Sequence, residues 1–534
     1  MVDQSEHLFT YPIARDRYDM IGTATSMLKA DLKRLGLDAA SLRRAVIAAY
    51  ESEANAVIHG KGGHMSARFS PGLLAVEVAD EGPGIADLEM AMREGFSTAP
   101  EEARELGFGA GMGLPNIKNN SDRLVIDSTP GVGTRLIFEL ELVAPGFDSD
   151  GQITPHMDPS RCKHCRQCVG ACPTAAIRLR KGGPALLKHL CIGCGACIAG
   201  CSTGALSGGG VSDPGRQAQL RPLVVPPAFL AQFTPRWDSA QAVETLGHLG
   251  FAEVVETGSW ETALLDSVAQ WASSRSDGNA PRLPSIAPVC PAVVNLIRTR
   301  FHALAAGVAP FRSPLAAAYL DTSAGDTLWV ALCPAQRNVL LAAGVAAERI
   351  VSAAKLAGAV RGLLMEGYPS RRDFRLPALP QGVPAGSDPW LEVSGADEVI
   401  DIFERAEDGA FSAELVIVPR MCPGGCFGSP LVEGNSFLSR RVWDGDAVRS
   451  REPARAVSRH GDLRLRHGLR LDPDMGRAVR LLREIQQLTS RLPGRDCGDC
   501  GAPGCTEFAE DVVLERAGIR DCPYLQQNVE GLRS

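Results

Sequence analysis

Cys162-Lys-His-Cys165-Arg-Gln-Cys168-Val-Gly-Ala-Cys172-Pro173 and Cys191-Ile-Gly-Cys194-Gly-Ala-Cys197-Ile-Ala-Gly-Cys201-Ser202 decide how this chain is read. Each stretch is a C-x2-C-x2-C-x3-C run. The two-residue spacers let three thiolates close on one face of an iron–sulfur cubane. Disulfides and structural zinc draw on the same residue type. Disulfides belong to oxidising compartments, and the opening Met1-Val-Asp-Gln-Ser-Glu-His lacks the apolar core of a secretory leader. Structural zinc takes four ligands per site, with no exchange between runs.

The paired runs resemble bacterial two-cluster ferredoxins. In that family the fourth ligand of each cluster comes from the other run. The resemblance therefore implies one [4Fe-4S] cluster on Cys162, Cys165, Cys168 and Cys201, and a second on Cys191, Cys194, Cys197 and Cys172. Ser202 stands where the first run has Pro173, which leaves every ligand in place. The chain has sixteen cysteines, and the remaining eight fall into two more groups of four: Cys290, Cys333, Cys422 and Cys426, then Cys497, Cys500, Cys505 and Cys522. The arithmetic suggests four clusters.

At 534 residues the chain should hold several domains, each able to bury its own core. The net charge is -7 and no basic stripe carries interleaved aromatics, so a nucleic-acid partner is not expected. Prolines 222, 226 and 227 interrupt one apolar stretch, and Gln336 and Arg337 another, so no membrane span is expected. The expected location is the cytoplasm.

In the first 145 residues, 8–15 read as a strand, and Met20–Leu35 and Asp38–Val57 show helical apolar spacing. Glu51 and Asn55 lie four apart and so share a helix face. A carboxylate and an amide placed this way suit a water or a hard ion such as Mg2+. Leu74–Ala79 alternates as a strand into Asp80-Glu-Gly82-Pro-Gly84, and Gly107-Phe-Gly109-Ala-Gly111-Met-Gly113 precedes a helix opening at Pro115. Gly131-Val-Gly133-Thr134 then leads into a strand over Arg135–Leu142. Alternating glycines before a helix let backbone amides approach a phosphate. The ordered set resembles the Bergerat-fold (GHKL) ATPases, and within them the small anti-sigma-factor serine kinases. That resemblance implies ATP, with Asn55 holding Mg2+ and Glu51 as the catalytic residue that positions or activates the attacking group. Asp80 would read the adenine amino group, Gly82, Gly84 and Thr134 would shape the pocket, and Gly109, Gly111 and Gly113 would lie over the phosphates. No phosphoacceptor-histidine helix is present, which disfavours a self-contained histidine kinase. ATPases of this sort commonly dimerise, so the resemblance also implies a homodimer.

Asp148–Asp158 and Ser207–Gln217 read as linkers. Beyond the second, helices (Gln241–Leu249, Ala263–Trp271) alternate with short apolar strands (Thr327–Cys333, Leu415–Pro419), an α/β pattern. Three phrases carry the cysteines: Pro288-Val289-Cys290-Pro291, Leu332-Cys333-Pro334-Ala-Gln336, and Met421-Cys422-Pro-Gly-Gly-Cys426-Phe-Gly428-Ser429-Pro430. In order, they resemble the three signatures of the iron-only hydrogenase large subunit, a family that also carries a ferredoxin module upstream. There, the matching cysteines hold a [4Fe-4S] cluster, and the last also bridges to a diiron centre. This chain departs at three places. Val289 stands at the proton-relay cysteine, Gln336 at the lysine that anchors the diiron unit, and Gly428-Ser429-Pro430 at a glycine-rich run. Without a proton donor, hydrogen turnover loses its acid–base step. The expectation is a hydrogenase-like domain that keeps a cubane and lacks the diiron site.

Arg459–Arg470 reads as a solvated, arginine-rich linker, and Met475–Leu492 carries a helical apolar stripe. Cys497-x2-Cys500-x4-Cys505 with Cys522 could bind zinc by spacing. Its phrasing resembles the small [4Fe-4S] domain of corrinoid proteins and hydrogenase-like sensors.

The chain is therefore expected to be multidomain α/β and α+β. An ATPase sandwich over 1–145 is followed by a ferredoxin fold over 146–210. A two-lobed hydrogenase-like domain spans 215–455, and a linker helix with a small helical iron–sulfur domain spans 456–534. Four clusters and one nucleotide pocket, with no organic substrate site, point to electron handling gated by ATP and a redox partner protein. A redox sensor whose kinase domain acts on a regulator is the alternative, and an active hydrogenase is disfavoured by Val289 and Gln336.

Overall fold

The computed structural model describes residues 7–525 except 16, 71–72, 107, 143–154, 210–217, 235, 276–282, 323–324, 368–389, 446–454, 460–462 and 467. Most of both expected linkers, Gly107 and the boundaries near 145 and 210 lie outside the described residues. The chain forms two compact units, 1–148 with 467–493 and 509–518, and 149–466 with 494–508 and 519–534.

The first unit is built on β1 (His7–Ile13), β2 (Gly63–Ser70), β3 (Leu73–Asp80), β4 (Arg123–Thr129) and β5 (Gly133–Glu141), an antiparallel sheet in the order β1-β2-β3-β5-β4. Alternation in β3 turns Leu74, Val76 and Val78 into the core. Helices α1 (Thr23–Arg34) and α2 (Ala39–Ile58) supply the other layer. Asp38 caps α2 by accepting from the N–H groups of Ala40 and Ser41. Small residues of α2, Ala45, Ala48, Ala49 and Ala56, let it lie close on Met65, Val76 and Phe138. The short helix α3 (Gly113–Asn119) follows the glycine-rich loop, two residues earlier than Pro115 suggested.

The helix Met475–Arg491 packs on this same core through Ala478, Val479 and Leu482. Gln486 Nε2 donates to Asp31 Oδ2 at 2.8 Å, as does the Tyr11 hydroxyl at 2.8 Å. Leu471 N–H donates to Arg34 O, and Arg34 pairs with Glu510 at 2.6 Å. By contacts, the expected 456–534 segment is thus divided between the two units.

Burial holds the Asp31 carboxyl above its ordinary range, against the pull of Tyr11, Arg34 and Gln486. A folded-state pKa raised above the unfolded value means stability present at low pH and lost as pH rises through the folded pKa. Stability of the first unit should therefore fall upward from the ordinary carboxylate range. Asp31→Asn should flatten that dependence and raise the melting temperature at neutral pH, read by thermal unfolding of both proteins from about pH 4 upward to about pH 8. An unchanged slope in the variant would exclude Asp31 as its source.

The second unit begins with two antiparallel pairs, β6 (His156–Met157) with β9 (Leu206–Ser207) and the hairpin β7 (Ile177–Arg180) with β8 (Gly183–Leu186). Two parallel sheets follow. One has the order β11-β10-β13-β14, from β10 (Pro222–Val225), β11 (Glu253–Glu256), β13 (Leu328–Ala331) and β14 (Ile350–Ser352). The other has the order β12-β16-β15, from β12 (Ser285–Ile286), β15 (Trp390–Ser394) and β16 (Val416–Arg420). These are the two α/β lobes. The fold is mixed α/β and α+β, as the sequence implied. The strand expected over Thr327–Cys333 stops at Ala331, because Cys333 caps a helix whose first residue is Pro334.

The arginine-rich stretch is a correction. Arg466 is buried, donating to the carbonyls of Cys191 and Lys188 at 2.7 Å each. Arg470 is also buried, donating to the carbonyls of Asp472 and Pro473. A guanidinium with five donors can leave water when backbone carbonyls replace it, so arginine content alone did not mark a solvated segment.

Candidate functional site

In the first unit, β3 delivers Asp80 beside Thr134 of β5. Asp80 Oδ1 accepts from Gly82 N–H at 2.8 Å and Thr134 N–H at 3.3 Å, leaving Oδ2 as a further acceptor. Burial raises its pKa, while the two N–H groups and His59 pull it back. A Cβ on Gly60 would strike the Asp80 side chain, and one on Gly82 would lie 2.5 Å from Gly60 Cα. Gly84 has φ +70 and would meet Thr129 O, so this turn admits glycine only. The Thr134 and Ser128 hydroxyls bond at 2.9 Å across the strand pair.

Glu51 and Asn55 of α2 face Gly113, where a Cβ would sit 3.1 Å from Asn55 Oδ1 and 3.4 Å from Glu51 Oε2. Asn55 Nδ2 is buried without a hydrogen-bond partner, an amide still able to serve a ligand. Sequence reasoning missed Asn116, whose Nδ2 donates to Glu51 Oε1 at 2.7 Å from one turn into α3. Its signal was its place three residues after Gly113. Gly111 (φ +73) lies against Gly95 and accepts its N–H at 3.0 Å, and Gly109 packs on Ala99. All eight residues expected at an ATP site and Glu51 thus lie on the strand ends, the α2 face and the glycine loop of one unit. A carboxylate with spare acceptors, an unpartnered amide and a glycine-lined loop fit a nucleotide with a divalent ion.

In the second unit, Cys168, Cys197, Val169, Ile177, Leu179 and Leu206 form one apolar core with Cys162, Cys172 and Cys201 against it. Burial raises the Cys168 thiol, followed by Cys201, Cys162 and Cys165. Burial pushes Cys191 up to about 11, with Cys172 adding, and Cys194 up to about 12, with Cys172, Cys191 and Cys290 adding. Cys201 differs. Burial acts upward there too, but the Thr203 hydroxyl and the N–H groups of Leu206, Thr203 and Ala205 outweigh it and favour the thiolate. Cys201 thus acts on the first run and Cys172 on the second.

Cys290 and Cys333 are the caps of α4 (Pro291–Arg300) and α5 (Pro334–Ala343), each with proline at the first helical position. Burial raises Cys333, and Cys290, Cys426 and Cys194 add to it. Burial likewise raises Cys422, followed by Cys290, Cys333 and Cys426. Gln336 is buried. Its Oε1 accepts from Leu332 N–H at 2.8 Å and its Nε2 donates to Cys426 Sγ at 3.6 Å, while its own N–H donates to Cys333 Sγ at 3.4 Å. Ser429 Oγ donates to Leu332 O. Val289 is buried apolar surface, which offers no proton.

At the C-terminus, Cys500 is raised by burial and then by Cys522 and Cys497, and Cys505 N–H is held by Asp496 Oδ1 at 2.6 Å. Among the described residues, no group of three or more His, Cys, Asp or Glu closes to the spacing of a single metal ion. Among the described residues no helix is long and apolar enough to cross a membrane.

Four family descriptions match in order. These are a histidine kinase-like ATPase domain over 15–140, a 4Fe-4S dicluster domain over 161–206, the C-terminal domain of the iron-only hydrogenase large subunit over 223–320, and an Fe-S cluster domain over 492–524. Each of the four matches covers less than a quarter of the chain. Of the hydrogenase-like cysteines, only Cys290 lies within its matched span. The ATPase domain is similar to curated anti-sigma F factors. That of Thermoanaerobacter sp. strain X514 is 39% identical over 89 residues, 16% of this chain and 59% of that protein. That of Bacillus subtilis strain 168 is 36% identical over 92 residues, 16% and 60% respectively. The chain thus spans less than two thirds of these relatives' length. Among solved structures, an apo [FeFe]-hydrogenase from Chlamydomonas reinhardtii aligns at TM-score 0.33 and 14% identity, covering 44% of this chain and 88% of that one, a likeness too loose to carry argument.

Proposed function

We propose that the protein is an ATP-binding electron-transfer protein holding four [4Fe-4S] clusters, in which nucleotide state gates low-potential electron delivery to a partner. The observation that carries this reading is the serial packing of the cysteine sets in the second unit. Leu179 N–H donates to Gly501 O at 2.8 Å, joining the C-terminal set to the first ferredoxin set. Cys168 and Cys197 share a core, joining the two ferredoxin sets. Ala335 N–H donates to Gly193 O at 2.9 Å, Asn295 Nδ2 donates to Ile192 O at 3.1 Å, and a Cβ on Gly195 would meet Pro430 and Pro334. These contacts join the second ferredoxin set to Cys290, Cys333, Cys422 and Cys426. Such clusters supply one-electron storage at potentials set by hydrogen bonds to sulfur and by exposure. In the pocket, Asn55 would hold Mg2+, Asp80 the adenine amino group, and Glu51 would orient the attacking group.

The test is an anaerobic EPR-monitored redox titration with and without Mg-ATP, with the Asn55→Ala protein as control. The expected result is an ATP-dependent shift in at least one cluster potential, absent in the variant. Potentials that stay fixed while ATP binds would remove gated electron transfer. The second reading, a redox-sensing kinase acting on a regulator, is favoured by the anti-sigma F similarity. It would then be tested by phosphate transfer from ATP to a partner serine.

Gln336 gives a separate expectation. An N–H directed at a ligand sulfur stabilises the more negative, reduced cluster. Gln336→Leu should lower the potential of the Cys290–Cys426 cluster by roughly 40–90 mV, the equivalent of about 1–2 kcal/mol for one electron. The same titration reads it, and an unchanged potential would mean that the Nε2–sulfur contact has no electronic weight.

A further inference from the structure

Cys165 and Cys497 are the exposed members of the sixteen cysteines. They lie on two loops that Arg166 and Asp499 tie together by an ion pair, with Tyr524 Oη donating to the other Asp499 oxygen at 2.6 Å. Arg180 Nη1 adds a bond to Cys500 O at 3.4 Å. The two most accessible ligand loops therefore meet, whereas Cys333, at the far end of the series, is buried.

The exposed charged side chains around this meeting point are mostly basic. Residues 159–212 contain seven cations, Arg161, Lys163, Arg166, Arg178, Arg180, Lys181 and Lys188, and no Asp or Glu, in a chain of net charge -7. Two oxidised cubanes with their eight thiolates would contribute about -4, leaving the stretch near about +3, and the C-terminal set beside it would add about -2. Arg161, Lys163, His164 and Lys181 are exposed, and Arg495 lies exposed over the Tyr524 ring at 4.6 Å. Of the nearby acids, Asp499 pairs with Arg166, Asp158 lies beside Arg161 and accepts from Ser160, and the exposed Asp496 accepts from Cys505 N–H.

We propose that the surface formed by the Arg161–Gln167 loop, the β7–β8 turn at Lys181 and the Arg495–Cys500 loop is the electron port, and that its partner is an acidic one-electron carrier protein. This rests on the cluster reading above. In each encounter the carrier loses one electron and is oxidised, and one cubane of the chain gains it and is reduced. The port couples the C-terminal set directly to the first ferredoxin set, so that electrons enter or leave at this end and reach the Cys290–Cys426 set, with its buried Cys333, last. Opposite charge steers such encounters and raises their rate steeply at low salt.

The test uses the full holoprotein and the Lys163→Glu/Lys181→Glu variant, neither position being a ligand. Anaerobic stopped-flow follows cluster bleaching by a reduced acidic bacterial ferredoxin, and in parallel by the methyl viologen radical cation. At about 0.02 M salt the variant should react with ferredoxin at least about tenfold more slowly. The gap should close at about 0.5 M salt, while viologen reduction is unslowed. Equal ferredoxin rates for both proteins at low salt, with full iron and sulfide content, would overturn the port. Iron and sulfide far below four clusters in the native chain would instead overturn the reading beneath it.

Discussion

Cys333→Ala should yield a protein lacking about four of about sixteen iron atoms, with one EPR species gone and the ferredoxin signals retained but altered. Cys333 caps α5 from within a core that includes Ile192, Ala335, Leu296 and Met421, with Cys194 and Cys290 against it. Burial has already raised its thiol far from the thiolate, so the site gains its charge only when a metal centre compensates it. Removing this ligand leaves Cys290, Cys422 and Cys426 facing a gap that neither Gln336 nor Ser429 can fill, since both are committed to Leu332. Because cluster binding adds to folding free energy, the variant should also melt lower than the native holoprotein. Cys165→Ala, at an exposed ligand, should perturb the fold less. Full iron content and an unchanged spectrum in Cys333→Ala would remove the Cys290–Cys426 set from the chain of clusters.

The cysteine spacing made the iron–sulfur modules legible because ligand loops are local: a C-x2-C run constrains its own geometry. The same holds for the ATPase domain, whose strand ends and glycine turns recur in order along the chain, and whose Asp80–Thr134 pairing is a matter of neighbouring strands. What was not legible depends on distant partners. Nothing in the stripe Val479, Leu482, Ile485 says which core it joins, and the structure sends Val479 and Leu482 to the core of the first unit, beside α1. Gln336 could be read as a missing lysine but not as a bridge between Leu332 and Cys426. The arginines at 466 and 470 are buried by carbonyls that carry no sequence signal. Departures from a motif are visible in sequence, whereas the contacts that replace them are not.

Glu53 shows the same limit at an adjacent position, and its removal should have the second large effect. Two residues from Glu51 on α2, it points to the opposite use. It is fully buried, with Oε1 accepting from Ala24 N–H at 3.1 Å and Oε2 from Thr25 N–H at 2.9 Å and the Thr25 hydroxyl at 2.7 Å. The cap residue of α1 is Gly22, at φ +96 and without a side chain to serve these donors, so a carboxylate from α2 caps α1 across the helix pair. It also sits at the positive end of the α1 dipole. Glu53→Ala strands two buried N–H groups and a hydroxyl, and should destabilise the first unit by about 3–5 kcal/mol, lowering its melting temperature by more than about 10 °C. Glu51→Ala loses one bond, from Asn116, at a half-buried site. It should melt close to the native protein while losing ATP turnover or phosphate transfer. The pair separates scaffold from chemistry on one helix face to the next: if both variants melt alike, Glu53 does not hold α1, and if Glu51→Ala keeps its phosphate chemistry, Glu51 is not the group that orients the attack.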